Sequence, residues 1–423
     1  MSKEKNLIPE LRFPEFVNEG EWEEKILGQV YDFKVTNSLS REFLTYNGGK
    51  VKNIHYGDIH TKFNTLFDIK KEIVPYIKDH DLIEKIREDS YCIGGDIVFA
   101  DASEDLNDVG KSIEITNLSN EKLVSGLHTL LARQRENKLT IGFGGYLFKS
   151  DWIRKQIQRE AQGAKVLGIS ANRISNIKIS YPKNKDEQQK IASFLSSLDE
   201  VIAAHSQKLD TLKEHKKGLM QNLFPQEGEK VPKLRFKEFL NDGEWVEKKL
   251  GSIAENLDSK RIPITSNQRE KGTIPYYGAS GIIDYVKDFI YNENLLCISE
   301  DGANLIDRNY PIAFSISGKT WVNNHAHVLK FENNYTQLLV EKYINSINVE
   351  DFLTGMAQPK LNRSKLDIIP IPLPKNPNEQ QKIASCLSSL DDLITAQAEK
   401  IEQLKLHKKG LMQGLFPCGS SPQ

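Results

Sequence analysis

The feature that most constrains this chain is a long segment that occurs twice. Residues 187–225 read EQQKIASFLSSLDEVIAAHSQKLDTLKEHKKGLMQNLFP, and residues 379–417 read EQQKIASCLSSLDDLITAQAEKIEQLKLHKKGLMQGLFP. Roughly two-thirds of the aligned positions are identical, and self-similarity at that level points to a duplicated structural unit. A second duplication lies upstream of each: IPELRFPEFVNEGEWEEKILG at 8–28 and VPKLRFKEFLNDGEWVEKKLG at 231–251. A weaker match precedes each long segment, where Gly163, Ile177, Ile179 and Pro182 correspond to Gly355, Ile369, Ile371 and Pro374. Each half therefore runs in one order: a lead segment, a body, an I-x-x-P exit, then the long segment. The lead segments are offset by 223 positions and the long segments by 192, so the first body is 31 residues longer. Between these frames the two bodies look unrelated. A fixed frame holding two different inserts suggests a scaffold that presents two different recognition surfaces.

The long segments carry a helical seam. Ile191, Leu198, His205, Leu212 and Leu219 recur every seven residues, and Leu195, Ile202, Leu209, Lys216 and Leu223 form a second row offset by four. The second copy repeats this with Ile383, Leu390, Gln397, Leu404 and Leu411, and with Leu387, Ile394, Ile401, Lys408 and Leu415. Two apolar rows at heptad spacing are the signature of a coiled coil, and polar residues in the seam (His205 and Gln397, Lys216 and Lys408) can fix register and orientation. About 36 residues at ~1.5 Å each make a rod of about 54 Å. Because the halves repeat, the two helices can pair about a pseudo-two-fold axis, which makes them antiparallel, with the bodies at opposite ends. An ordinary core helix, or pairing between two chains, remains open at this point. Phe224-Pro225 and Phe416-Pro417 stop both helices, since proline cannot continue the ladder.

The expected fold class is α/β (α+β): two globular domains with two long antiparallel coiled-coil helices. The expected boundaries are 1–182 for the first recognition domain, 183–225 for the first spacer helix and 226–374 for the second domain. The second spacer helix follows at 375–417, and 418–423 is a disordered tail. The apolar seam residues of the spacer are Ile191, Leu195, Leu198, Ile202, Leu209, Leu212, Ile383, Leu387, Leu390, Ile394, Ile401 and Leu404. The bodies mix β-rich runs such as GGDIVFA, YPIAFSIS and HVLKF with a helical stretch, DWIRKQIQREA.

Both bodies contain loops rich in residue types that hydrogen-bond base edges and phosphates. In the first these are Lys50, Lys52, His55, Tyr56, His60, Lys62, His128, Lys165 and Arg173. In the second they are Tyr276, Tyr277, Asn304, Lys319, Trp321, Asn323, Asn324, His325, Gln358, Lys360 and Asn362. A net charge of −1 counts mildly against nucleic acid, so any basic footprint must be local.

Catalytic patterns are weaker. Gly110-Lys111-Ser112 and Gly318-Lys319-Thr320 resemble the end of a phosphate-binding loop, but the glycine five positions before the second glycine is replaced by Asp105 and Ala313. His325 and His327 could offer two metal ligands, without cysteines or carboxylates nearby in sequence to complete a site. The run Asp101, Glu104, Asp105 and Asp108 reads as a solvated loop. There is no glycine-rich cofactor loop and no Asn/Asp-Pro-Pro-Tyr motif. Cys92, Cys297, Cys386 and Cys418 are far apart with no C-x-x-C pair, which argues against a zinc site or disulfide framework and fits a reducing cytosol. No apolar run reaches 18 residues, so no membrane span is expected, and the N-terminus lacks the apolar core of a secretory signal. No metal site and no catalysis of the chain's own are expected.

Taken together, P-x-L-R-F…E-W, the I-x-x-P exit, E-Q-x-K-I-A-x-x-L-x-x-L-D and H-K-K-G-L-M-Q-x-L-F-P, each present twice, resemble the specificity subunits of Type I restriction-modification systems. The matching stretches are Pro9–Trp22, Pro182–Pro225, Pro232–Trp245 and Pro374–Pro417, so the resemblance spans nearly the whole chain. It implies that each body is a target recognition domain reading one half of a split, asymmetric site on double-stranded DNA, with the helices as a ruler between the halves. It also implies that two methyltransferase (modification) subunits dock on the duplicated regions and bring S-adenosylmethionine. Restriction subunits, where present, would bring ATP and magnesium. This chain would bind none of those cofactors and would act in the cytoplasm.

Overall fold

The computed structural model describes residues 7–355 and 358–417; Cys418 and the tail expected at 418–423 lie outside the described residues. The chain divides into two compact units. Among the described residues, one takes 7–205 together with 400–417, and the other takes 206–399.

The first unit is built on a five-stranded sheet of β1 (Tyr31–Lys34), β2 (Leu66–Asp68), β3 (Ile97–Ala100), β4 (Ser112–Asn117) and β5 (Thr129–Gln134), in the order β1-β5-β3-β4-β2. Only the β2–β4 pair is parallel. The run Ile97-Val98-Phe99-Ala100 is continuously apolar because both faces of β3 are covered. Ile97 and Phe99 pack with Trp22, Phe143, Phe148 and Ile153. Val98 and Ala100 pack on the other face with Ile54, Ile59 and Phe67.

The second unit repeats this plan in different residues. Strands β6 (Glu255–Asn256), β7 (Leu295–Ser299), β8 (Ala313–Ile316) and β9 (Ala326–Lys330) run in the order β6-β9-β7-β8, matching β1-β5-β3-β4. Leu296 and Ile298 face one core, Leu295 and Cys297 the other. Each unit also has a second, four-stranded sheet containing one parallel pair: Val51–Ile54 with Lys122–Ser125, and Lys271–Gly278 with Lys319–Val322. The bodies that look unrelated in sequence thus share a topology. A buried strand needs only apolar side chains of fitting size, so Ile-Val-Phe-Ala and Leu-Leu-Cys-Ile fill one role without resembling each other. Burial pushes the thiols of Cys92 and Cys297 up, and both are free.

The duplicated frame closes each body in the same way. Glu23–Ile26 pairs antiparallel with Lys178–Tyr181, and Val246–Lys249 with Pro370–Leu373, so the lead segment and the exit form a two-stranded clamp. Arg12 makes a bidentate ion pair with Glu187, Nε and one terminal nitrogen each donating at 2.8 Å. Its other terminal nitrogen donates to the carbonyl of Gly20 at 2.6 Å, and Trp22 Nε1 donates to Glu187 at 3.3 Å. The second unit has the same four contacts: Arg235 to Glu379 at 2.7 and 2.8 Å, Arg235 to Gly243 at 2.7 Å, and Trp245 Nε1 to Glu379 at 3.3 Å. Glu379 holds the Arg235 guanidinium above its ordinary pKa. Both glutamates stand at the N-terminal end of a long helix, where the exposed N–H groups also favour a negative charge.

Those helices are α1 (Lys185–Leu223) and α2 (Pro377–Leu415), each of 39 residues. Within the first unit, Asp199 in the first half of α1 accepts a hydrogen bond from Lys408 in the last two turns of α2. Within the second, Asp391 in the first half of α2 accepts one from Lys216 in the last two turns of α1. The pairing is therefore antiparallel and follows the duplication. Burial along α1 follows the two rows, with Ile191, Leu195, Leu198, Ile202, Leu209 and Leu212 buried or half-buried between exposed neighbours. Ile383, Leu387, Leu390, Ile394, Ile401 and Leu404 do the same in α2. The two lysines in the seam are thus neutralised by aspartates, joined by the Tyr146 hydroxyl donating to Asp199 at 2.8 Å and by Lys342 at 3.0 Å from Asp391. Burial alone would raise the Asp391 carboxyl, but Lys216 and Lys342 outweigh it and hold it low.

Each core is completed by the far end of the other half's helix. Leu415 and Phe416 of the α2 end pack into the first core, Phe416 edge-on to Trp22 at 6.0 Å. Leu223 and Phe224 of the α1 end pack into the second, Phe224 edge-on to Trp245 at 6.1 Å. Leu11 N–H donates to the Gly414 carbonyl and Leu234 N–H to the Asn222 carbonyl, both at 2.8 Å.

Glu114, on β4, supplies a pH signature. Burial raises its carboxyl to about 7, against the pull of two N–H donors, Gly142 at 2.9 Å and Gly145 at 2.6 Å. Its ordinary value is 4.5. A carboxyl raised on folding favours the folded state most below its unfolded value, so this contribution is lost as pH rises from 4.5 to about 7. The loss is about 3 kcal/mol at ~1.4 kcal/mol per unit. Glu114→Gln should flatten the fall in Tm over that window relative to wild type; an unchanged slope would remove Glu114 as its source.

Candidate nucleic-acid interface

In the first unit, four of the residues expected from sequence converge on one surface. The Tyr56 ring meets His55 at 4.7 Å, His128 at 5.3 Å and His60 at 6.0 Å between centroids. His55 is buried and its Nδ1 accepts from Gly57 N–H at 3.2 Å, capping the helix Tyr56–Thr61. Burial, then the nearby Arg41, lowers its pKa. Lys62 lies at the end of that helix, 2.9 Å from the buried Asp58, which also takes Arg41 at 2.9 Å. Burial raises the Asp58 carboxyl, but the two cations outweigh it and leave it below the usual range. Arg41, Asp58 and Lys62 thus form an ion cluster at the edge of the aromatic group with both cations half exposed.

The other residues of the first body stand apart from this cluster. Lys50 is exposed beside His80 Nε2 at 2.9 Å. Lys52 is buried, 2.7 Å from Glu121 and over the Tyr76 ring. Arg173 donates to the Glu160 carbonyl at 3.0 Å. Lys165 is exposed in the turn between Gln162 and Gly168, whose N–H and carbonyl groups bond each other both ways at 2.9 and 2.7 Å.

In the second unit, Asn323, Asn324 and His325 share the loop into β9. Buried Asn323 accepts from His325 N–H at 2.8 Å, and the exposed His325 ring lies 2.9 Å from Asp301. Beside them, Lys360 reaches Glu300 at 3.2 Å, and Gln358 is exposed in the same turn. Asn362 ties this turn down by donating to Thr354 at 2.8 Å. Tyr277 stacks on Phe314 at 5.9 Å, and its backbone carbonyl accepts from Asn323. Four residues are engaged in contacts with neighbouring parts of the fold, Tyr276 buried and Lys319 exposed. Tyr276 is buried under Arg269, Trp321 Nε1 donates to the Ile262 carbonyl at 2.7 Å, Asn304 closes a loop on Tyr310, and Lys319 lies over Phe289.

Sequence reasoning missed Arg41, Arg261 and Asp301, and it read Asp101 as part of a solvated loop where the fold sets its carboxylate against His128. Arg261 bridges Glu300 at 2.7 Å and Asp258 at 3.5 Å. Asp258, Glu300 and His327 bring their ligand atoms within 4.8 Å of one another, the spacing of a cation site. Arg261 and Lys360 already supply two positive charges to these carboxylates, and His327 is satisfied by Asp258 at 2.6 Å and the Leu361 carbonyl at 2.7 Å, which disfavours a metal there. The two phosphate-loop lookalikes run into strands, Ser112–Asn117 and Lys319–Val322, and not into the helix that such a loop requires.

The turn between Gln162 and Gly168 and the backbone pairing of Thr354 with Lys360 each have a glycine beside them. Gly163 has φ +139°, and a Cβ there would lie 1.9 Å from the Val166 carbonyl oxygen; Gly355 has φ +84° and would meet the Gln358 carbonyl oxygen at 2.6 Å. Gly163→Ala should therefore open the turn at a cost of about 1–3 kcal/mol. Limited proteolysis at Lys165 should accelerate and Tm should fall by a few degrees, at about 2–4 °C per kcal/mol, and wild-type cleavage rates would count against this.

The sequence model of a family described as the Type I restriction modification DNA specificity domain matches residues 19–214 and 242–406, the greater part of both halves. The chain belongs to this family. A putative type I restriction enzyme specificity subunit of Haemophilus influenzae, S.HindORF215P, is 36% identical over 161 residues, 38% of this chain and 41% of that protein. The chain thus matches less than half the length of that relative. The putative type I restriction enzyme MjaX specificity subunit of Methanocaldococcus jannaschii is 28% identical over 378 residues, covering 84% of this chain and 85% of that one. Among solved structures, the S subunit of a Type I restriction-modification system from M. genitalium superposes with a TM-score of 0.59 at 18% identity, covering 97% of this chain and 99% of that one. At that identity the likeness concerns the fold. The specificity family is a non-catalytic, DNA-recognising class. Among the described residues no helix is long and apolar enough to cross a membrane.

Proposed function

We propose that this chain is the subunit that chooses the DNA target of a Type I restriction-modification complex in the cytoplasm, with each body reading one half of a bipartite, asymmetric site. The observation that carries this reading is one strand topology and one closing frame, present twice, around loops of different composition. Two bodies of the same build but different loops suit two different half-sites. The recognition domains run through 182 and from 226 to 374, with the spacer helices between and after them. The exposed members of the two clusters, among them His128, His325, Gln358 and Lys360, together with the exposed Lys165 apart from them, are the residues available to nucleic acid.

Docking of two identical modification subunits has its own support. Exposed apolar side chains occur in matched pairs: Ile8 and Val231, Leu11 and Leu234, Val17 and Leu240, Val201 and Leu393. A surface apolar set that recurs in both halves suits a partner present twice. Those partners would bring S-adenosylmethionine and methylate adenine, and restriction subunits would add ATP-dependent cleavage.

The test is long-read mapping of methyl-adenine in the host genome with and without this gene. One gapped bipartite motif should lose methylation on deletion; an unchanged methylome beside an active modification subunit would reject the reading. Deleting one heptad from both helices should shorten the gap by about three base pairs, from ~1.5 Å per helical residue and ~3.4 Å per base pair. A motif with an unchanged gap would remove the helices as the ruler.

A further inference from the structure

The two bodies differ in nearly every loop, yet one arrangement recurs at the same place in both. In the first, Asp101 follows β3 and His128 precedes β5. Asp101 N–H donates to the His128 carbonyl at 3.0 Å, and His128 Nδ1 lies 3.1 Å from the Asp101 carboxylate. In the second, Glu300 N–H donates to the His325 carbonyl at 2.9 Å, and His325 Nδ1 lies 2.9 and 3.0 Å from the two carboxylate oxygens of Asp301. The glycine-pinned turn docks beside each pair through one backbone bond, Ile169 N–H to the Asp101 carbonyl at 2.8 Å and Leu361 N–H to the Glu300 carbonyl at 2.7 Å. The histidine side chains are equally exposed, 51% and 50%. His128 also sits at φ 54°, a conformation that a non-glycine residue adopts only where its surroundings hold it.

The carboxylate comes from a different position in the two bodies. Backbone bonding makes Glu300 the counterpart of Asp101, but Glu300 is taken by Arg261 and Lys360, and the next residue, Asp301, holds the histidine. The same tie is thus made by different means.

Resting on the target-reading role proposed above, we propose that His128 and His325 are a matched pair of DNA-backbone contacts, each binding a phosphate beside its half-site. A device common to two bodies that read different sequences cannot carry the difference between those sequences. It suits the contact that is the same at every site, which is the phosphate. A carboxylate on Nδ1 fixes the ring and turns Nε2 outward. As an imidazolium, that Nε2–H is a charge-assisted donor to a phosphate oxygen. In the second body Lys360 lies at the same edge, bridged to Asp301 through the backbone and 3.2 Å from Glu300.

The experiment uses the full chain purified with its modification subunits. Binding is measured to a duplex carrying the mapped target and to one with both half-sites scrambled. His128→Gln and His325→Gln should each weaken binding to both duplexes by the same factor, about tenfold for one hydrogen bond to a charged group. The methylated motif should not change. Methylphosphonate scanning should find one phosphate per half whose neutralisation weakens the wild type but costs the matching variant nothing further. Asp101→Asn and Asp301→Asn, which keep the ring but loosen it, should give a smaller loss in the same direction. A loss confined to the target duplex, a changed motif, or wild-type binding by the histidine variants would overturn the proposal. A wild-type complex that binds both duplexes equally would instead defeat the target-reading role, and the phosphate contact would still be measurable on either duplex.

Discussion

Glu187→Ala is expected to destabilise the first unit by about 3–5 kcal/mol, because it strips the partner from a charge that stays buried. The Arg12 side chain is 7% exposed and Glu187 1%. Removing the carboxylate leaves the guanidinium with only the Gly20 carbonyl, and leaves Trp22 Nε1–H without its acceptor. The same change at Glu379 should cost the second unit a similar amount, since Arg235, Gly243 and Trp245 repeat the geometry to within about a tenth of an ångström. Urea denaturation followed by tryptophan fluorescence would report both, as Trp22 and Trp245 sit at the sites. Arg12→Met with Glu187→Leu should recover much of the loss, because a well-packed apolar pair can replace a buried ion pair. A single-variant cost below about 1 kcal/mol would mean that water reaches the pair and that the clamp contributes little.

Replacing residues 30–177 with the corresponding body of another family member should change one half of the methylated motif and leave the other intact. The graft points fall just inside the clamp of Glu23–Ile26 on Lys178–Tyr181, so the frame and the α1 start are retained. Methylation at the original motif should fall by about a thousandfold or more, the usual scale of specific over non-specific DNA discrimination. A motif changed in both halves would contradict modular reading, since the second body would then depend on the first for its specificity.

Much of this was legible in the sequence. The duplication revealed the frame, the heptads gave two long helices with proline-marked ends, and the seam lysines stood out as polar breaks. These features are readable because they are periodic or repeated, and each depends on residues close in the chain. The two surface clusters were only partly legible. Residue type selected His128, Tyr56 and His325, which the fold leaves in exposed or part-exposed clusters, but it equally selected Lys52, which is buried against Glu121. Asp301, Arg41 and Arg261 were missed, and Asp101 was read only as part of a solvated loop, because a carboxylate or guanidinium has no signature until its partner is known. One signal was available: in both halves an acidic residue just after one strand precedes a histidine just before a later one.

What the sequence determined by itself, then, was the twofold plan and the helical seam, because local periodicity sets which face of a helix is apolar. The tertiary structure alone decided that two dissimilar bodies share one sheet order, since burial asks for apolar volume and not for particular residues. It alone decided that Phe416 completes the first core and Phe224 the second, and that Asp199 and Asp391 neutralise the seam lysines. It alone placed His128 and His325 on matched carboxylates. Each of these is a pairing between residues distant in sequence, fixed by which groups the fold brings within hydrogen-bonding or packing distance.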